Sequence, residues 1–304
     1  MGEFTAKNSM KHRGRFAPSP TGPLHFGSLI CAVASYLQAK ANHGDWLVRM
    51  EDIDPPREPK GAADDILRTL EAYALFWDQD TVYQSTRSKL YEEYLFHLEN
   101  QKLTYPCCCS RKQIRESSNQ SSNPVYPESC RGRSFSGKSP HSIRIQTEYQ
   151  TIEFEDVVQG VFAQNIRKEV GDFILKRADG LYAYQLAVVI DDAEQNVSEI
   201  VRGSDLLDNT PRQIFLQQLL GFPQPRYAHV PIATINGDKM SKQTKAPAVL
   251  THNPVATAVQ VLKFLGQPVP DNWQWASIEE LWRWAIPRWD ISAVPKILSR
   301  ETAP

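Results

Sequence analysis

The 304-residue chain carries almost no net charge, with 34 Lys and Arg against 35 Asp and Glu. A protein that coats nucleic acid without sequence preference has a basic excess, so that class loses support, although a local patch can still hold one RNA. No run approaches 18 apolar residues, which excludes a conventional membrane-spanning helix. The start, MGEFTAKNSMKHRGRF, lacks the apolar stretch of an export signal. Cysteine is scarce and odd in number, at five, which argues against a disulfide framework. The 15 Gly and 21 Pro follow no repeat, so a collagen-like chain is out. The expectation is a cytoplasmic monomer with neither a membrane nor DNA as partner.

What remains is an ordinary globular composition, 41% hydrophobic and 23% charged, long enough for two domains. Residues 1–12 read as a flexible tail. Arg15-Phe16-Ala17 reads as a short strand stopped by Pro18 and Pro20. Leu29, Val33, Tyr36 and Leu37 then fall at helical spacing until Gly44, and Trp46 to Met50 reads as a buried strand. Strand, glycine-bearing turn, helix and strand make a βαβ unit, the opening of a parallel α/β domain. Helices are expected over 61–77 and 87–102. Residues 117–142 hold nine Ser and three Pro, which suits a loop or a small metal-held module. From residue 143 the pattern is strand-like: HSIRIQ, TIEFEDVVQGVFAQ, then 173–178 and 182–190. A helix is expected over 211–220, and mainly helices beyond 250. Five of the seven Trp lie in that last stretch, between Trp273 and Trp289, and their spacing reads as helix-packing core.

Two blocks carry chemistry. The first runs Arg15-Phe16-Ala17-Pro18-Ser19-Pro20-Thr21-Gly22-Pro23-Leu24-His25-Phe26-Gly27-Ser28. It lies at a strand-to-helix junction, where backbone amides receive phosphate oxygens. Gly22 and Gly27 let a large ligand approach. It is neither G-x-G-x-x-G nor a P-loop, so a dinucleotide oxidoreductase and a Walker-type NTPase both lose support. His25 suits either a phosphate contact or a structural role. The second block is Asn236-Gly237-Asp238-Lys239-Met240-Ser241-Lys242-Gln243. Two lysines in a polar loop can meet developing phosphate charge; alone, the block also reads as a solvated turn.

Together, in this order and separation, the blocks resemble the paired nucleotide motifs of class I aminoacyl-tRNA synthetases. Arg49-Met50-Glu51-Asp52-Ile53-Asp54 and Val201-Arg202-Gly203-Ser204-Asp205-Leu206-Leu207 are similar to motifs of the glutamyl branch. The resemblance covers roughly 13–265. It implies a Rossmann-like catalytic domain in two halves, 13–104 and 191–250, split by an inserted zinc-containing α+β subdomain at 105–190 and followed by a short helical region at 251–304. It implies that Pro18, Gly22, His25, Gly27, Ser28, Lys239, Met240, Ser241 and Lys242 surround ATP with its Mg2+, with His25, Lys239 and Lys242 catalytic. Arg15, Phe16, Ala17, Pro18, Ser19, Glu51, Tyr184 and Arg202 would surround L-glutamate. An acidic side chain suits the substrate ammonium, a guanidinium its side-chain carboxylate, and a phenol a directional contact. Asp191 and Asp192, at the end of YQLAVVIDD, suit either substrate orientation or structure.

About 60 residues follow Lys242, room for a short bundle and not for an anticodon-binding domain. In this the chain resembles a truncated paralogue group of the glutamyl enzymes. That likeness implies activation of glutamate without tRNA and its transfer to queuosine, the wobble base of tRNA(Asp). The alternatives are a small enzyme charging the tRNA acceptor end and a noncatalytic tRNA-binding descendant.

Four cysteines fall between Cys107 and Cys130. Thiolates favour zinc, and a tetrahedral set suits a structural ion; reduced thiols in a metal-free loop are the alternative. The resemblance implies one structural Zn2+ on Cys107, Cys109, Tyr126 and Cys130. Cys108 departs from that pattern and could compete for the metal.

Overall fold

A computed structural model describes residues 11–117, 125–133, 141–235, 237–240 and 247–302. The chain opens with β1 (Arg13–Phe16), α1 (Phe26–Ala41), β2 (Asp45–Met50), α2 (Ala62–Ala72) and β3 (Val82–Tyr83). The three strands are parallel, with Arg13 opposite Asp45 and Arg49 opposite Val82. Parallel neighbours need a crossover, and α1 and α2 supply them. Leu29, Ile30, Val33 and Leu37 of α1 are fully buried, each contributing about 1.5–3 kcal/mol. Trp46 packs between Phe16 and Tyr36, at ring distances of 6.4 and 5.2 Å.

After α3 (Ser88–Asn100) come β4 (Thr104–Cys107), α4 (Arg111–Ser117), β5 (Ser142–Ile145), β6 (Thr151–Asp156), β7 (Gly160–Asn165) and β8 (Ile174–Lys176). β4, β5 and β8 form an antiparallel sheet, and β6 and β7 a hairpin. The alternation of TIEFED puts Ile152, Phe154 and Asp156 inward. The helix α5 (Tyr184–Glu194) then leads to β9 (Glu199–Gly203), α6 (Thr210–Leu220) and β10 (Arg226–Val230). β9 and β10 are parallel. β9 also runs beside β1, where Ser198 N–H donates to the Arg13 carbonyl at 2.9 Å. The strand sequence β3-β2-β1-β9-β10 therefore reverses its winding between β1 and β9, and ligands of such sheets bind at the carboxyl ends of the strands there.

The last segments are β11 (Ile232–Ile235), β12 (Asp238–Lys239), α7 (Pro254–Phe264), α8 (Ile278–Ala285) and β13 (Ser299–Glu301). α7 and α8 return to the first core: Trp282 is buried, and its indole N–H donates to the Tyr73 carbonyl at 2.7 Å. Among the described residues no helix is long and apolar enough to cross a membrane.

Two sequence expectations need correction. Residues 182–190 were expected as a strand, but 184–194 form α5. Leu186 to Asp192 are all buried, so the helix has no polar face to impose a 3.6-residue rhythm, and a Val-rich run with hidden polarity mimics a strand. Second, only Trp282 and Trp284 lie on a helix. Trp273 and Trp275 stack on each other at 5.4 Å in the loop before α8, and Trp289 follows it and donates to Gln38 Oε1 at 2.7 Å. They pack, as expected, but not through helical spacing.

Candidate active site

A cavity of about 520 Å3 lies at the carboxyl ends of β1, β2 and β9. Of the residues expected around the amino acid, Arg15, Phe16, Ala17, Ser19, Glu51, Tyr184 and Arg202 line it. Pro18 does not; its carbonyl accepts from the Glu51 N–H at 3.0 Å and sets the start of the loop after β2.

The cavity floor is a buried charge network. Arg49 is wholly buried and donates to Asp192 Oδ1 at 2.8 Å and Gln195 Oε1 at 2.7 Å. Arg15 donates to the same Asp192 oxygen at 3.2 Å. Burial opposes the charge on Asp192, but the two guanidinium groups hold its carboxyl below the ordinary range. Asp191 receives Gln84 and Tyr91 at 2.7 Å and Arg87 at 2.6 Å. Both aspartates of α5 are thus committed to protein donors, which favours the structural of their two roles. Removing one partner of such a pair costs about 3–5 kcal/mol.

Glu51 differs. It is buried, and its Oε1 has no hydrogen-bond partner, only the Arg49 guanidinium 3.6 Å away. Desolvation is the main reason its carboxyl is pushed up to about 7, against the pull of Arg49 and Arg15. A carboxylate left short of donors in a cavity suits an incoming ammonium. Arg202 is the counterpart. Its Nε donates to His229 Nε2 at 3.0 Å and its Nη2 to Thr210 Oγ1 at 2.8 Å, while Nη1 lies 3.5 Å from the Tyr184 hydroxyl. Among the described residues its hydrogen-bond partners are an imidazole and two hydroxyls, and it lies 5.6 Å over the Tyr227 ring, so no contacting carboxylate cancels its positive charge. A ligand carboxylate can use it. Burial raises the Tyr184 pKa and keeps that phenol a donor.

Of the expected nucleotide residues, Gly22 and His25 lie in the turn between β1 and α1, and Gly27 and Ser28 in the first turn of α1. His25 caps α1: its Nδ1 accepts from the Ser28 N–H at 3.3 Å, and its Nε2 is 3.0 Å from Ser28 Oγ. Gly22 has φ of +148°, a value side-chain-bearing residues rarely adopt. A Cβ on Gly27 would sit 3.4 Å from the Met240 carbonyl oxygen and 3.2 Å from the His25 ring. The fold therefore brings the two motif blocks into contact across more than 200 residues of sequence. Met240 is buried, and its N–H donates to the Ala233 carbonyl at 2.9 Å. Lys239 pairs by backbone with Thr234. Ser241 and Lys242 lie outside the described residues.

A second candidate centre lies on β4. The sulfurs of Cys107, Cys109 and Cys130 are all within 4.8 Å of one another. The Tyr126 hydroxyl is 3.3 Å from Cys107 Sγ and 3.6 Å from Cys109 Sγ, and Cys109 Sγ is 3.5 Å from Cys130 Sγ. A zinc tetrahedron with bonds of about 2.3 Å has edges of about 3.8 Å, so the donor set fits one ion. Cys108, between buried Cys107 and half-buried Cys109, is exposed, although its thiol also interacts with Cys130. Burial raises the Tyr126 phenol, chiefly, and lifts Cys109 to about 11. Burial also opposes a thiolate at Cys130, yet bonds from Tyr126 and its neighbours bring it down to about 6. The Arg144 guanidinium lies 3.9 Å over the Tyr126 ring. Asp172 ties the surroundings together, receiving the Tyr105 hydroxyl and the Thr147 N–H at 2.7 Å each.

Sequence reasoning gave no role to Arg49, Asp156, Thr210 or His229. Arg49 stands inside the block quoted for Glu51, and two adjacent acids at 191–192 were the hint that a buried cation faces them. His229 lies alone on β10, with nothing nearby in sequence to mark it.

These features define a class I tRNA synthetase catalytic domain. The family described as tRNA synthetases class I (E and Q), catalytic domain, matches residues 11–258. The chain superposes on a glutamate tRNA ligase from Elizabethkingia meningosepticum with a TM-score of 0.80 at 25% identity, covering 96% of this chain and 67% of that one. A glutamyl-Q tRNA(Asp) synthetase from Dechloromonas aromatica is 49% identical over 94% of this chain and 96% of its own. One from Neisseria gonorrhoeae is 51% identical over 94% and 98%. The chain belongs to the glutamyl-Q tRNA(Asp) synthetase family.

Proposed function

We propose that the protein activates L-glutamate with ATP, without tRNA, and transfers it to queuosine at the wobble position of tRNA(Asp). The observation that carries the first half is the pairing, in one cavity, of a buried carboxylate short of donors, Glu51, with a guanidinium held by neutral partners, Arg202. Glu51 takes the substrate ammonium. Arg202 and Tyr184 take the side-chain carboxylate, and Arg15 and Ser19 complete the cavity wall. The α-carboxylate oxygen then attacks the α-phosphorus of ATP and pyrophosphate leaves. His25 and the amides at the start of α1 receive phosphate oxygens, and Lys239 and Lys242 meet the charge that develops on them. Mg2+ accompanies ATP and offsets phosphate charge. In the second half a hydroxyl of the queuosine cyclopentene ring attacks the acyl carbon, loses its proton, and AMP leaves.

Residues 105–190 form the inserted subdomain in this reading, although α5 runs past its closing edge. Its module at 107–130 holds one structural Zn2+ on Cys107, Cys109, Tyr126 and Cys130. All four positions are filled by protein, so the ion stabilises a segment with little apolar content and takes no part in the reaction. The second half rests on the relatives, which are matched over nearly their whole length. The protein works as a cytoplasmic monomer.

Two measurements test the reading. Labelled pyrophosphate should exchange into ATP with L-glutamate and no tRNA, and far more slowly with glutamine or aspartate. Labelled glutamate should then appear on tRNA(Asp) containing queuosine and not on the same RNA with guanosine. Nuclease mapping locates the label: the wobble nucleoside supports the proposal, and the terminal adenosine replaces it with acceptor-end charging. Lys242→Ala should lower the exchange rate by about 10²–10³, because the lost charge acts mainly in the transition state.

A further inference from the structure

Arg15 and Arg202 enter the same cavity but are held differently. Arg15 donates directly to a carboxylate, Asp192, at 3.2 Å. Arg202 donates instead to an imidazole. His229 Nε2 takes the Arg202 Nε–H at 3.0 Å, and His229 Nδ1 lies 2.5 Å from Asp156 Oδ2. Asp156 is itself fixed at the turn after β6, where its Oδ1 accepts from the N–H groups of Val158, Gln159 and His229 at 3.0, 2.9 and 3.0 Å. All of this is buried, with His229 and Asp156 at 0% and 2% exposure.

Only one protonation pattern satisfies these contacts. Nε2 must offer a lone pair to Arg202, so the single proton of a neutral imidazole sits on Nδ1 and points at Asp156. We propose that Asp156 and His229 form a positioning relay that orients Arg202 for the ligand carboxylate while leaving its charge free, and so set the preference for glutamate over glutamine. A carboxylate placed directly on Arg202 would orient it equally well but would cancel the charge the substrate needs. The imidazole transmits the orientation without the cancellation. Thr210, on Nη2, closes the remaining edge, so the face toward Tyr184 is the one left for the ligand. Burial lowers the His229 pKa, which keeps the ring neutral.

The inference rests on the glutamate reading above, and its test separates the two. If the unaltered protein exchanges pyrophosphate with no preference for glutamate, that reading fails and the relay has nothing to act on. If it prefers glutamate, the relay is tested by variants. In His229→Leu the KM for glutamate should rise about 10–100-fold, the KM for ATP should stay within about 2-fold, and the glutamate-to-glutamine preference should fall by a similar 10–100-fold. His229→Gln, whose amide oxygen can accept from Arg202, should recover most of the loss. Asp156→Asn should resemble His229→Leu, because the amide can donate to Nδ1 and drive the proton onto Nε2, where it opposes Arg202. A folded His229→Leu or Asp156→Asn protein with unchanged glutamate KM and unchanged preference overturns the proposal. Should those variants not fold, nitrogen-15 NMR of the unaltered protein decides it. A neutral ring protonated on Nδ1 is required, and a ring protonated on Nε2, or on both nitrogens, at pH 7 overturns the relay.

Discussion

The cavity and the thiol module are both polar clusters walled by protein, yet they balance their charges in opposite ways. Around the cavity, Arg15, Arg49, Asp191 and Asp192 neutralise one another inside two large apolar cores, in which side chains such as Leu37, Val48, Ile190 and Phe215 are buried. Those four groups satisfy one another, and Glu51 and Arg202 are the charged groups with donors or acceptors to spare for a ligand. Among the described residues, the buried core of the thiol module is Tyr105, Cys107, Tyr126 and Cys130, with Cys109 and Ile114 packed against it. Its polar atoms are its core, and they need something to hold them. Stability in the first region comes from packing and is lent to function. In the second, the donor set suits a metal ion, which would then be the stabiliser.

The sharpest way to break this contrast is at the ligand-facing groups. Arg202→Ala should lower glutamate-dependent exchange by about 10²–10³ in kcat/KM, while the slow reaction with glutamine changes little. Equal losses for both amino acids would mean that Arg202 does not read charge.

Glu51→Gln should lower glutamate-dependent exchange by about 10² and, unusually for an active-site change, stabilise the empty protein. The Glu51 carboxyl, ordinarily at 4.5, is raised to about 7 by burial. Between those values the folded chain holds a proton the unfolded chain has lost. This group's contribution is therefore most favourable below pH 4.5 and is lost as pH rises through 7. At pH 8 the variant should be more stable by about 1–3 kcal/mol, measurable by urea unfolding. No gain at pH 8 would show that Glu51 is better solvated than its burial implies. For the same reason glutamate affinity should weaken as pH falls below 7.

The module should respond the other way. Cys130→Ser should reduce zinc from about one per chain and lower the melting temperature by several degrees, with exchange retained within about 5-fold. Large loss of exchange with intact secondary structure would tie the module to the cavity. Smallest of all, Cys108→Ser should leave metal content and melting unchanged within error, since Cys108 is exposed and Cys107, Cys109, Tyr126 and Cys130 already make up a tetrahedral set; a drop in zinc would make it a ligand.

Much was legible in the sequence because the signals were local. The turn FAPSPTG, the strand-to-helix junction around His25, the strand before Glu51 and the C-x-C pair each lie within a few residues of their partners or reflect a spacing the backbone imposes. What could not be read has a common physical cause. Val188 and Val189 sit on a helix buried all round, so no polar face betrayed the period. Asp191 and Asp192 acquire meaning only from Arg49, Arg87 and Tyr91, which lie on other elements.

By itself, the sequence determined the βαβ opening and a cluster of thiols suited to zinc, which follow from residue type and short-range spacing; the two nucleotide blocks and the acid and guanidinium suited to an amino acid were legible through the resemblance to class I synthetases. Tertiary structure alone decided that Gly27 meets Met240, that Glu51 keeps an oxygen without a hydrogen bond while Asp191 does not, and that Arg202 leans on a histidine rather than a carboxylate. Those outcomes depend on which strands become neighbours and on how completely each charge is removed from water, and both are properties of the packed molecule rather than of any segment of it.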